Sequence, residues 1–365
     1  MKLCLAILAF VFLLGNAGEA KEWQQAVSPW QWSFPGDHGS HPGFRTEWWY
    51  FTGNLKDKHG IIYGYQLTFF RQGIVLKAAQ PENPWSIRDI YLAHFALTDV
   101  SAGRFWHYDR ASRTGPGLSG SKKGSMDVWT LDWSAKMTDN TIYLKASQGE
   151  LALDLELSQR KPKIFHGDRG LSKKGPKRGQ SSYYYSFTDL ATKGTIKTSQ
   201  SGQSIQVKGT SWFDQEFGSN QLTPDQIGWD WFGIHLSDGR DLMIYYLRKI
   251  DGTIEPASSG TIIEKDGTTR YLSQTDITLN ILAQWKSPKS GGIYPAKWHI
   301  KIPSVQVDII LAPLVANQEL ITAASTGVTY WEGIVAGSGT SRGNSITVEG
   351  YVELTGYAGS LGGLF

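Results

Sequence analysis

The segment "GTSWFDQEFG" (residues 209–218) carries two acids, Asp214 and Glu216, one residue apart among aromatics. In an extended strand alternate side chains share a face, so Trp212, Asp214 and Glu216 point one way and Phe213, Gln215 and Phe217 the other. A carboxyl desolvated against indole has its pKa raised toward neutrality and can then donate a proton. Glu47 offers the same chemistry in "FRTEWWYFTGNL" (44–55), directly before Trp48 and Trp49. Structural roles compete with this reading. Asp214 and Glu216 could pair with Arg71 or Arg248 or face solvent, and Glu47 could accept hydrogen bonds from the preceding "HGSHPG" loop.

The aromatics around these acids, Trp48, Trp49, Trp212, Trp229, Trp231, Tyr184 and Tyr185, read either as the wall of a ligand cavity or as core. His94 alternates with Ala96 and Thr98, which suits a satisfied core histidine, with ligand contact as the second reading. His235 shares a face with Trp231 and Gly233, and core and cavity lining are balanced there. Asp230 alternates away from Trp229 and Trp231, toward an exterior or inter-domain hydrogen bond.

Other reaction types lack their residues. There is no G-x-S-x-G elbow, no H-E-x-x-H pair and no EF-hand loop, and the one cysteine, Cys4, lies near the N-terminus. The tight cluster "DHGSH", with Asp37, His38 and His41, is read as a glycine-containing loop bonded to the first strand in preference to a metal site. No metal and no cofactor is expected. A net charge of +3 gives no reason to invoke nucleic acid. "LSKKGPKRG" (171–179), with Lys173 and Lys174, reads as a solvated basic loop without a catalytic signal.

These side chains need strands to position them. With 15 Trp, 16 Tyr, 15 Phe and 41 Gly, the chain is rich in strand and turn formers and poor in helical periodicity, which predicts an all-β fold. Two units recur. The segment 47–71, two aromatic strands around a polar turn ending on Arg71, resembles 229–248, which ends on Arg248. "IQVKGTSWFDQEFG" (205–218) resembles "ITVEGYVELTGYAG" (346–359), so each copy is expected to be the last strand of its own sheet. In that alignment Glu353, Thr355 and Tyr357 replace Trp212, Asp214 and Glu216, so closing the sheet does not itself require acids at 214 and 216. A polar stretch, "SNQLTPDQI" (219–227), separates the copies. The expectation is two consecutive antiparallel β-barrels, residues 21–220 and 221–365.

Before them, Lys2 and an apolar run from Leu3 to Leu14 followed by "GNAGEA" read as a cleavable export signal over residues 1–20. The run is too short to span a bilayer, and no integral membrane segment is expected after its removal. A secreted or periplasmic location follows, with a cysteine-free mature chain beginning near Lys21.

The stretches "EWWYFTG", "AHFALTD", "KPKIFHGDRGLSKKG", "SYYYSFTDL", "GTSWFDQEFGSNQL", "GWDWFGIHLSDGRDLMIYYLR", "YPAKWHIKIP" and "YWEGIV…GYVELTGYA" resemble the AttH-like, or secreted hydrolase-like, family, which is related to the carotenoid 1,2-hydratases. The resemblance covers nearly the whole mature chain. It implies two lipocalin-like (calycin) barrels packed together and a hydratase or hydrolase activity on an apolar, isoprenoid- or lipid-like substrate. Hydration of an alkene needs a proton donor that stays neutral until used, a wall that tolerates a cation, and one admitted water. Asp214, Glu216 and Glu47 are the expected catalytic acids. The alternative is a non-catalytic lipocalin-like carrier for the same class of apolar small molecule.

Overall fold

In the strand Thr46–Asp57 the aromatic run splits by parity. Trp49, Phe51 and Leu55 are fully buried in one cluster, whereas Tyr50 joins a different one with Trp48 packed against it. This strand therefore has two apolar faces, as expected of one sandwiched between a barrel interior and a second packed layer. The computed structural model describes residues 22–77, 83, 85–199, 201–220 and 222–362. The export segment assigned to residues 1–20 lies outside the described residues.

The described residues form two antiparallel sheets, each curled toward a barrel, of the lipocalin-like type. A 13-stranded sheet runs from Thr46–Asp57 to Ile205–Gly218, and a 10-stranded sheet from Gln226–Leu236 to Asn344–Leu354. Helix among the described residues is confined to three single turns, Gly36–His38, Gln274–Asp276 and Pro303–Val305. In both sheets the first strand lies between its hairpin partner and the last strand. Thr46–Asp57 pairs with Ile62–Gly73 and with Ile205–Gly218, and Gln226–Leu236 pairs with Asp241–Lys249 and with Asn344–Leu354. A carboxylate clamps each opening hairpin to the arginine at its far end: Glu47 to Arg71 at 3.2 Å, and Asp230 to Arg248 at 2.9 Å. The two recurring sequence units thus occupy corresponding places in their sheets.

Each sheet encloses its own core. Phe95, Trp133, Leu144, Leu155 and Phe213 are among the residues filling the first, and Phe232, Trp298, Ile309, Trp331 and Val352 the second. A third cluster draws on both sheets, with Tyr50, Tyr184 and Trp212 meeting Trp231, Met243, Tyr245, Ile334 and Tyr351. The approach is close enough to need glycine at one point: a Cβ added to Gly64 would lie 2.8 Å from Cβ of Ile334. A polar clasp adds direction to this packing, since Lys161 Nζ reaches Asp241 Oδ2 at 2.6 Å and Thr188 donates to the same oxygen at 2.7 Å. No helix of the described residues is long and apolar enough to cross a membrane.

Candidate functional site

The site lies where the two sheets meet. Strand Ile205–Gly218 turns Asp214 and Glu216 toward the second sheet, on the face predicted by alternation, and its neighbours add Trp48 and Tyr50 from one side and Tyr184 from the other. The opposing sheet supplies Trp229 and Trp231, Tyr245 and Leu247, Tyr330 and Glu332, and Glu353. Together these enclose a cavity of about 100 Å³. Its wall holds four carboxyl groups and, among the described residues, one cation, Lys174.

The four acids have different environments. Asp214 is a convergence point for donors. Tyr184 Oη donates to Oδ2 at 2.6 Å, Trp212 Nε1 to Oδ1 at 2.6 Å, and Ser186 Oγ also to Oδ1. Trp231 Nε1 donates in turn to Tyr184 Oη at 3.0 Å, which leaves the phenol proton aimed at Asp214. Burial raises the Asp214 carboxyl to about 7, against these hydrogen bonds and with help from the nearby Glu216 charge. Glu216 pairs with Lys174 Nζ at 2.8 Å and accepts from Ser182 Oγ. The Lys174 ammonium lies 4.2 Å from the Tyr245 ring centroid. Burial works against its charge, but Glu216 and other neighbours outweigh that and hold its pKa above the ordinary value.

Glu353 accepts from Trp229 Nε1 at 2.9 Å, and burial together with the Asp214 and Glu216 charges raises it to about 7. Glu332 is fully buried, and neither of its oxygens receives a hydrogen bond of good geometry, although the Tyr50 and Tyr330 hydroxyls adjoin it. Burial, reinforced by Glu353, drives its pKa well above the usual carboxylate range, so it is held as the neutral acid. An acid bonded by three donors and an acid with no well-formed hydrogen bond face one cavity.

Glu47 lies elsewhere. Its register partner on the last strand is Phe217, whereas Glu216 opposes Trp48 and Asp214 opposes Tyr50, so Glu47 projects from the opposite face of the sheet. There it accepts from the His41 backbone N–H at 2.8 Å, from Arg71 Nε at 3.2 Å and from Gln215 Nε2 at 3.0 Å, and it meets His41 Nδ1 at 2.7 Å. His41 Nε2 contacts Asp37 at 3.1 Å, and His38 Nδ1 contacts Tyr185 Oη at 2.7 Å. The "DHGSH" loop is therefore bonded to the first strand. Arg71 belongs to this network and to Asp89, not to Asp214 or Glu216.

Of the expected ligand-contact residues, Trp48, Trp229 and Trp231 line the cavity. Trp49 and Tyr185 face the first core, and Trp212 stands behind Asp214 as its donor. His235 bonds Asp241 at 2.9 Å, and His94 lies one bond behind the wall, 2.8 Å from Tyr330 Oη. Asp230 turns away from the cavity to Arg248 and Tyr357.

Glu332, Glu353, Tyr330 and Lys174 were not among the sequence candidates. "TYWEGIV" (329–335) does carry a signal, because Tyr330 and Glu332 alternate on one face as Trp212 and Asp214 do. The reading of Lys174 as part of a solvated loop is corrected: it is 6% exposed, because the loop folds over the cavity and its charge neutralises Glu216.

The sequence profile of the AttH-like family matches residues 25–357. The solved structure of an AttH protein from Nitrosomonas europaea is 31% identical, with a TM-score of 0.81 over 92% of this chain and 99% of that one. Kievitone hydratase from Nectria haematococca is 17% identical, with a TM-score of 0.67 over 89% of this chain and 93% of its own. CghA in complex with Sch210972 is 11% identical, with a TM-score of 0.51 over 86% of this chain and 89% of its own. At these last two identities the likeness is one of fold. No curated protein matches the chain.

Proposed function

We propose that this chain, which belongs to the AttH-like family, is a hydratase that adds water to an apolar, unsaturated substrate in the cavity between its two sheets. The observation carrying this reading is the pair of contrasting carboxyls on one aromatic wall, Glu332 without a well-formed hydrogen bond and Asp214 with three. Environments that push two acids apart assign the acid and the base.

Glu332 gives its proton to one alkene carbon, and positive charge develops on the other carbon against the Trp48, Trp229, Trp231 and Tyr245 faces, whose quadrupoles favour it. A water beside Asp214 attacks that carbon and loses its proton to the Asp214 carboxylate. One water is consumed, and proton exchange between the two carboxyls restores the starting state. The cavity is below the roughly 300–1,000 Å³ of pockets that enclose whole drug-sized ligands. It takes the reacting end of a chain-like substrate. Consistent with a leader at residues 1–20, the proposal places this reaction outside the cytoplasm, and N-terminal sequencing of the native protein tests that part.

The test uses a panel of isoprenoid and fatty alkenes in ¹⁸O-labelled water. Tryptophan quenching reports binding, and mass spectrometry reports labelled alcohol. The wild type is expected to incorporate label. Asp214→Asn and Glu332→Gln should each slow incorporation at least about 100-fold, the usual scale of general acid–base contributions, with ligand affinity little changed. Binding without incorporation by the wild type would return the carrier reading. Full turnover in Asp214→Asn would remove Asp214 from the mechanism.

A further inference from the structure

A chain of hydrogen bonds leads from Tyr330, whose hydroxyl adjoins the cavity acid Glu332, to the protein surface, crossing between the two sheets. His94, on Asp89–Asp99, and Asp109, on Arg104–Arg113, are cross-strand partners in the first sheet. The second sheet inserts Ser325 between them, from the turn that precedes strand Thr329–Ser341, and supplies Tyr330 from the start of that strand. Ser325 Oγ donates to Asp109 Oδ2 at 2.8 Å and lies 2.9 Å from His94 Nε2. His94 Nδ1 lies 2.8 Å from Tyr330 Oη, and the same phenol adjoins Glu332. Asp109 and Ser325 are half-buried at the outer end, and His94, Tyr330 and Glu332 are buried.

The inventory of protons along this chain has one consistent direction. Ser325 has a single hydroxyl proton, and Asp109 takes it, so His94 Nε2 must be the donor to Ser325 Oγ. Burial, with His107 nearby, lowers His94 to about 3 and keeps the ring neutral. A neutral ring carrying its proton on Nε2 has a bare Nδ1, which accepts from Tyr330. The phenol proton is then committed to His94, and Tyr330 presents only lone pairs to Glu332. A carboxylate would face those lone pairs unfavourably, whereas a carboxylic acid can donate to them. Tyr50, Tyr330 and Glu353 also face Glu332, which shares its cavity with Asp214, Glu216 and Lys174.

We propose that Asp109, acting through Ser325, His94 and Tyr330, is a remote positioning residue that orients this hydrogen-bond chain so that Glu332 is kept as a neutral acid. The inference rests on the hydratase reading for its purpose but not for its test. Removing the Asp109 acceptor frees the Ser325 hydroxyl to turn toward His94 Nε2. The imidazole then takes its other tautomer and donates to Tyr330, and Tyr330 donates to Glu332, which favours the ionised carboxylate.

The readout is the infrared C=O band of protonated Glu332 in ligand-free, full-length protein, assigned by its loss in Glu332→Gln and followed through a pH titration. Asp109→Ala is expected to lower the midpoint for loss of that band by about one pH unit or more, and Ser325→Ala, which takes away the acceptor of the His94 Nε2 proton and with it the tautomer preference, is expected to lower it in the same direction. Asp109→Asn, whose amide oxygen still accepts from Ser325, should stay near the wild type. Near-UV circular dichroism establishes that each variant is folded, and the half-buried Ser325 provides a second route if Asp109→Ala is not. Wild-type midpoints in the folded variants overturn the proposal. A shifted band in a protein with no hydration activity overturns the hydratase reading alone, and hydration activity with an unmoved band overturns the relay alone.

Discussion

Glu47 and Asp214 stand on adjacent strands of one sheet and point to opposite faces of it. Glu47 is opposed by Phe217, one residue out of parity with the Trp48–Glu216 and Tyr50–Asp214 pairs that face the cavity. Because a pleated strand alternates strictly, no local adjustment brings Glu47 into the site. Its carboxylate instead anchors the leading loop and Arg71.

Replacing this anchor should cost stability and not turnover. Glu47→Gln leaves Arg71 and His41 buried with a weakened partner, a change expected to cost about 3–5 kcal/mol, while folded protein keeps its hydration rate and ligand affinity. Burial raises the Glu47 pKa, but His41 and Arg71 outweigh that and hold it below the ordinary value of 4.5. Its contribution is therefore fully present above that pH and is lost as pH falls through the depressed folded value. Thermal melts at a series of pH values should show the wild-type advantage over Glu47→Gln shrinking in acid. A large fall in kcat with an unchanged melting temperature would refute the structural role.

Lys174 and Glu216 should behave as a coupled pair. Lys174→Met leaves Glu216 buried beside Asp214 with only the Ser182 hydroxyl in place of its ion pair, and a loss of about 3–5 kcal/mol is expected. Adding Glu216→Gln should recover most of it, because the uncompensated charge is then gone. Denaturant unfolding of the single and double variants closes the cycle, and additive losses would show that the two residues do not interact.

Glu353 should make the protein less stable as pH rises, the reverse of Glu47. Burial, with the Asp214 and Glu216 charges, raises it from 4.5 to about 7 in the folded state. The folded state thus holds a proton that the unfolded chain has released. The associated stability is present below about 4.5 and is lost as pH rises through about 7. Glu353→Gln, which can still accept from Trp229, escapes that loss. Its melting temperature should match the wild type near pH 4 and exceed it near pH 8. Parallel curves across that range would show that Glu353 does not titrate as described.

What the sequence determined by itself is whatever depends on neighbours along a strand or on repetition. The alternation in "SWFDQEF" places Asp214 and Glu216 on one face, and the recurrence of 47–71 at 229–248 anticipates two similar opening hairpins in an all-β, lipocalin-like chain. Strand parity and strand-forming composition are local properties, so they are legible before any sheet is assembled. Tertiary structure decided everything that depends on which strand lies beside which. Glu47 resembled Asp214 as a carboxylate next to indoles, and only the register with Ile205–Gly218 separated them by face. Lys174 belonged to a basic loop until packing buried it against Glu216. Glu332 lies 118 residues beyond Asp214 on the other sheet, and its lack of a well-formed hydrogen bond and its raised pKa arise only when the two sheets close over it and exclude water. Desolvation belongs to the assembled interface and not to any segment of the chain, which is why the protonation of Glu332, unlike the alternation that places it beside Tyr330, could not be read in advance.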